Sequence, residues 1–183
     1  MRDIVTQIEA LSHAHNNTVV VGINGLDCAG KTTFTQKLAS GLTAREHECL
    51  VLHVDDYNNI AVQEQVYRAY AVGEFGSDLF DRYYHHSIDY GSLALAISAA
   101  RQDRKIVLVE GVFLFRPPVS AQIDYKVFLE IEPDVARARY VDRKLTVSDE
   151  RSVRVFDDIW MPAFERYCKE YNPHELAQQV CSG

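Results

Sequence analysis

Four stretches of the chain are apolar without alternation: residues 19–23, 49–54, 106–111 and 125–131. Unbroken runs of four to seven residues, rich in Val, Ile and Leu, are expected of parallel strands buried on both faces. Between them apolar residues recur at intervals of three and four, which predicts helices. Ile4, Ile8 and Leu11 mark one over 2–14, and Phe34, Leu38 and Leu42 mark one over 31–42. Val62, Val66, Tyr67 and Tyr70 suggest another, and Leu93, Ile97 and Ala100 one over 87–100. Residues 78–86 mix aromatics with charges and read either as a short helix or as a structured loop. Pro133 stands at a helix start. Val153, Phe156, Trp160, Phe164, Tyr167 and Tyr171 imply one long amphipathic helix, which Pro162 must kink or split because it lacks an N–H and clashes with the preceding turn. Residues 178–181 read as a short last strand. The alternation implies an α/β fold: a parallel sheet of about five strands, flanked by helices and wound with right-handed crossovers. No repeat or linker interrupts it, so residues 1–183 are expected to form a single domain.

Between the first strand and the following helix lie Gly25, Leu26, Asp27, Cys28, Ala29, Gly30, Lys31, Thr32 and Thr33. They match Gly-x4-Gly-Lys-[Ser/Thr], a P-loop. Gly25 and Gly30 are expected to allow positive φ and close approach, so that successive N–H groups from Asp27 to Thr33 point into one anion site. The helix start adds its positive end. Lys31 then reaches the β and γ phosphates of a nucleotide, and the Thr32 hydroxyl can ligate Mg²⁺. In open parallel sheets ligands sit beyond the strand C-termini. That rule gathers Asp55, after the second strand, and Glu110, ending the third, beside the loop.

Each acid has a plain structural reading beside the chemical one. Asp55 can accept the proton of an attacking hydroxyl and help to hold Mg²⁺ through water, or Asp55 or Asp56 can cap the next helix. Glu110 closes a strand of Ile, Val and Leu, where an unpaired charge would be costly. It needs either a metal-bound water beside Thr32 or a salt bridge. Arg139 and Arg143, four apart, share one helix face, and a run of arginines is usually a solvated one.

The net charge of −7 speaks against a nucleic-acid backbone or an anionic membrane as partner, without forbidding a phosphate ligand held locally. The longest apolar runs fall far short of the ~18 residues of a membrane span. No secretion signal is read at the N-terminus, and Cys28, Cys49, Cys168 and Cys181 show no paired spacing. A reducing, cytoplasmic setting is therefore expected. Homo-oligomerisation is left open.

The P-loop, the segment His53, Val54, Asp55, Asp56 and Tyr57, the segment from Val109 to Leu114 and the Arg-rich stretch from Arg137 to Arg143 stand in an order that resembles the uridine kinase and phosphoribulokinase branch of P-loop small-molecule kinases. The resemblance runs over about residues 19–180. It implies a three-layer P-loop NTPase fold of the nucleoside/nucleotide kinase kind, ATP and Mg²⁺ as cofactors, and γ-phosphoryl transfer to a hydroxyl of a small acceptor. Within it Asp55 matches the catalytic acid, Tyr57 an aromatic beside the acceptor, and Asp89 an acid that binds sugar hydroxyls. Arg139 and Arg143, ahead of Arg137, match a lid over roughly 137–150 that closes on the phosphates, with a turn around 145–149. Tyr90 and Gly91 replace the His and Pro that follow that acid in many uridine kinases. The hairpin that holds the base there is nearly absent, since only residues 101–105 precede the third strand. The resemblance makes a nucleoside the leading acceptor; a sugar, pantothenate or a sugar phosphate stands behind it. Tyr83, Tyr84, His85 and His86 read either as an acceptor wall or as an exposed aromatic loop. A regulatory NTPase is the rival of another class, although no Asn-Lys-x-Asp pattern and no Asp-x-x-Gly after the third strand supports it.

Overall fold

The computed structural model describes residues 1–15, 18–103, 106–146 and 151–183. Five parallel strands form one sheet: β1 (Val20–Gly25), β2 (Cys49–His53), β3 (Ile106–Gly111), β4 (Tyr125–Glu130) and β5 (Gln179–Ser182), in the order β2-β3-β1-β4-β5. Because successive side chains point to opposite faces, each apolar run feeds two cores at once. Val19, Val21, Ile23, Leu108 and Val127 pack with α1 (Arg2–His15) and α2 (Lys31–Thr43). On the other face Val20, Val107, Val109 and Phe128 meet α3 (Ile60–Ala71), α4 (Ser77–His86), α5 (Tyr90–Ala100) and α6 (Pro133–Thr146). This two-sided burial is why the runs show no alternation.

Several expectations are sharpened or corrected. Residues 78–86 are helical, not a loop, and Tyr83 and Tyr84 of α4 are buried while His85 and His86 are exposed. The long C-terminal helix is accommodated around Pro162 by a π-helical turn, Phe156–Trp160, which runs straight into α7 (Met161–Tyr171). Widening the ladder over the turn before the proline relaxes the ring's clash with the carbonyl four residues back. A short α8 (Pro173–Leu176) then leads into β5. Neither Asp55 nor Asp56 caps α3; that role falls to Asn59, whose side chain accepts from the Val62 N–H at 3.4 Å.

The sheet edge that carries the site is assembled by close packing. Val54 sits directly over Gly111, where any Cβ would lie 2.3 Å from that of Val54. Only glycine at the end of β3 lets the 3₁₀ turn Val54–Tyr57 lie this close, and the turn sets Asp55 beside Glu110. A buried network ties the next segment down. The Asn24 Nδ2 of β1 donates to the Tyr167 hydroxyl at 2.7 Å, and the same hydroxyl accepts from the Phe115 N–H at 3.0 Å. Residues 112–115 are thereby pinned to both β1 and α7.

Candidate active site

The loop between β1 and α2 has the backbone of an anion nest. Its left-handed positions are Cys28 (φ 63°) and Gly30 (φ 84°), rather than Gly25 and Gly30 as expected. Gly30 is the residue at the helix start, where its missing Cβ removes the penalty of that conformation. Lys31 is buried and donates to the Leu26 carbonyl at 2.9 Å, which uses one of its three donors. A cavity of about 280 Å³ opens beside the loop, and Asp27, Cys28, Gly30, Lys31, Thr32 and Thr33 form one of its walls. Asp55 and Glu110 stand across from them, and Arg139 and Arg143 of α6 complete the lining.

Glu110 is 6% exposed and is held by two donors on one oxygen: Thr32 Oγ1 donates to Oε1 at 2.9 Å, and His53 Nδ1 lies 2.7 Å from the same atom. The structural partner that the sequence left open is thus His53, which shares the Glu110 oxygen with Thr32. A hydroxyl and a carboxylate in contact at the foot of an anion nest are hard oxygen donors suited to Mg²⁺. Among the described residues no group of three or more His, Cys, Asp or Glu could cage a metal. The donor set fits an ion that keeps waters and phosphate oxygens as its other ligands.

Asp55 reaches solvent through the cavity mouth, yet the surrounding protein raises its pKa above the usual carboxylate value. Burial is the main cause, and the nearby carboxylates of Asp27 and Glu110 add to it against Lys31 and Arg143. Asp55 also lines a second cavity of about 150 Å³. Asp27, Val112 and Arg143 are shared by the two cavities. The remaining wall of the second is polar and aromatic: Asn58, Gln63, Tyr67, Tyr83, Ser87 and Trp160 contribute to it.

The arginines divide their roles. Arg139 Nη1 donates to the Cys28 carbonyl at 3.2 Å, which holds its guanidinium against the loop. Arg143 lines both cavities, and its guanidinium lies 5.7 Å from the centre of the Tyr140 ring. Arg137 lies elsewhere, in a bidentate pair with Asp157 at 2.7 and 2.9 Å. The turn expected around 145–149 falls largely outside the described residues, as do residues 147–150 of the lid and residues 104–105 before β3. Ahead of that gap only a 3₁₀ turn, Arg101–Asp103, follows α5.

Two of the substrate candidates do not reach the cavities. Asp89 is exposed, and its carboxylate caps α5, accepting from the Ser92 N–H at 3.0 Å and the Ser92 hydroxyl at 2.7 Å. Tyr57 packs against the core, and its carbonyl accepts from the Asp89 N–H at 2.8 Å. The lining residues that the sequence did not single out come from four separate elements, and none carries a motif. His53 carries one local signal, its place at the end of β2 two residues before Asp55.

An anion nest, a Thr–Glu pair and an acid shared by two cavities, on a sheet ordered 2-3-1-4-5, can be set beside known proteins. The structure of a "possible uridine kinase" from Bacillus stearothermophilus superposes with a TM-score of 0.62 over 97% of this chain and 98% of that one, at 19% identity. The chain shares the fold of that structure. Its sequence relatives include nicotinamide riboside kinase 2 from Homo sapiens, 26% identical over 171 residues that cover 83% of this chain and 68% of that protein. The Mus musculus protein of the same name is 26% identical over 172 residues, covering 83% and 80%. No protein-family model matches the chain. Among the described residues no helix is long and apolar enough to cross a membrane.

Proposed function

We propose that this protein is an ATP-dependent small-molecule kinase that transfers the γ-phosphoryl group to a hydroxyl of a compact acceptor. The observation that carries the reading is the position of Asp55, in the wall common to the phosphate-sized cavity and the second one. A hydroxyl in the second cavity and a terminal phosphate in the first would meet at this carboxylate. The raised pKa of Asp55 brings its proton affinity closer to that of a general base working near neutral pH. The P-loop amides and Lys31 hold the phosphates, while Arg139 and Arg143 supply positive charge where it builds up during transfer. Thr32 and Glu110, with Asp55 through water, would hold Mg²⁺, which when bound neutralises and orients the phosphates. The relatives' names support trying a nucleoside first among acceptors. Four unpaired cysteines support a reducing, cytoplasmic setting.

The test is ADP release from ATP–Mg²⁺ with and without nucleosides, sugars and other polyols. A kinase releases ADP in proportion to added acceptor, and Lys31→Ala abolishes that release. Slow turnover that no acceptor stimulates would instead favour a regulatory NTPase.

A further inference from the structure

His53, the last residue of β2, stands opposite Glu110 of β3 in the strand register. Its Nδ1 and the Thr32 hydroxyl converge on one carboxylate oxygen, Oε1, at 2.7 and 2.9 Å. An ionised carboxylate only accepts, so the imidazole carries a proton on Nδ1. That nitrogen is spent on Glu110, and imidazole suits Mg²⁺ poorly beside hard oxygen donors, so His53 is no ligand to such an ion. The other oxygen of Glu110, Oε2, makes no hydrogen bond among the described residues. Unlike Thr35 Oγ1 or Arg116 Nε, it is not sealed from solvent without a partner. Glu110 borders the P-loop cavity together with Lys31 and Thr32. One oxygen of a nearly buried carboxylate is thus fixed by the protein, and the second is left for what enters the cavity.

We infer that His53 is a positioning residue for the divalent-cation site, acting through Glu110. A glutamate side chain is long enough to swing about a single contact. Donors from two separate elements, the start of α2 and the end of β2, remove that freedom. Oε1 is then committed to the protein and Oε2 to the waters of the ion. The Thr32 hydroxyl spends its only proton on the same carboxylate, so its lone pairs are what remain for the metal. Without the imidazole the carboxylate can rotate, and both the ion's water shell and the Thr32 hydroxyl lose their fixed direction. The inference rests on the metal–nucleotide part of the kinase reading above and is independent of which acceptor is used.

The test compares two variants. His53→Leu removes the donor at similar bulk, whereas His53→Asn sets an amide N–H as many bonds from the backbone as Nδ1. With a non-hydrolysable ATP analogue bound, Mn²⁺ affinity is read by electron paramagnetic resonance. It is expected to fall about 10–100-fold in His53→Leu, the scale for a residue that orients a metal ligand, and to recover to within a few-fold of wild type in His53→Asn. Affinity for the analogue in EDTA, by calorimetry, should stay at the wild-type level in both. Because His53 acts through Glu110, the double variant His53→Leu/Glu110→Gln should bind Mn²⁺ no more weakly than Glu110→Gln alone. Unchanged Mn²⁺ affinity in His53→Leu, whatever its Tm, reduces the contact to a structural pair and overturns the inference. Losses that add in the double variant overturn the route through Glu110. Metal–nucleotide binding without transfer to any acceptor removes the kinase reading and leaves this inference standing, whereas a wild type that binds no Mn²⁺ with the nucleotide removes both.

Discussion

Replacing Asp55 by Asn separates a catalytic acid from a structural one, because the two readings predict opposite signs for stability. General-base assistance is typically worth 10²–10⁴-fold, so Asp55→Asn is expected to lower kcat by about that factor. ATP should bind at least as well, since the lost charge lies among the carboxylates of Asp27 and Glu110 and faces a polyanion. For stability the direction follows from linkage. The folded protein raises the pKa of Asp55, chiefly by burial, so the folded state holds that proton more tightly than the unfolded chain. The stability this gives is fully present below the ordinary carboxylate pKa and is lost as pH rises through the raised value. At neutral pH the ionised group therefore costs stability, and the amide, nearly the same shape, removes the cost. Solvent at the cavity mouth screens part of the effect, so the variant's Tm should equal or exceed that of the wild type. Thermal melts, calorimetric titration with ATP–Mg²⁺ and a coupled ADP assay report the three quantities on one preparation. The wild-type rate should also fall on acidification at a pH above the ordinary carboxylate range, and the residual rate of Asp55→Asn should lack that limb. A normal kcat, or a Tm lowered in step with a loss of ATP affinity, would refute the reasoning.

Two further substitutions probe the supports of the site. Glu110→Gln keeps the shape but removes the charge beside Thr32 and His53. It should weaken the Mg²⁺ requirement curve by about 10–100-fold, read as the Mg²⁺ concentration for half-maximal rate and, independently, as Mn²⁺ affinity by electron paramagnetic resonance. An unchanged curve would return Glu110 to a structural pairing with His53. Tyr167→Phe leaves the Asn24 amide and the Phe115 N–H facing a vacated acceptor position. At about 1–3 kcal/mol for each of the two buried donors left unsatisfied, the expected loss is roughly 2–6 kcal/mol in urea unfolding, and a loss below about 0.5 kcal/mol would show that the two donors find other partners.

What could be read from the chain and what could not divides along a physical line. Local chemistry was legible. The β-branched runs around Val20, Val107 and Val127 announce two-sided burial, and the spacing of Gly25, Gly30, Lys31 and Thr32 announces a nest, because both depend on near neighbours in sequence. Even there the backbone reassigned a detail: the second left-handed position is Cys28, since what the nest needs is a pattern of dihedrals, and a thiol of that size tolerates the strain. The cap of α3 falls to Asn59 rather than to Asp55 or Asp56 because the 3₁₀ turn runs on to Tyr57 and holds both acids inside it. Asp89 illustrates the converse. Its position before a helix made it a good cap, and both carboxylate oxygens were taken by Ser92, three residues on.

The acceptor cavity was the least legible part, and the reason is geometric. Asn58 follows the turn after β2, Gln63 and Tyr67 lie on α3, Tyr83 lies on α4, and Arg151 and Trp160 lie beyond α6. Their convergence depends on how three helices pack over one end of the sheet, a property carried by Val62, Val66, Tyr84 and Phe156 in the core and by no local spacing. Such a wall can change its chemistry more readily than the P-loop, although some of its polar tips also tie elements together: Gln63 Nε2 donates to the Ser87 carbonyl at 3.2 Å and the Trp160 Nε1–H to the Tyr67 hydroxyl at 3.0 Å. The P-loop cannot drift in this way, since its ligand groups are its own backbone amides. On the kinase reading, recognition of the phosphates would thus be bound to the fold, whereas choice of acceptor would be carried by side chains that the fold only positions.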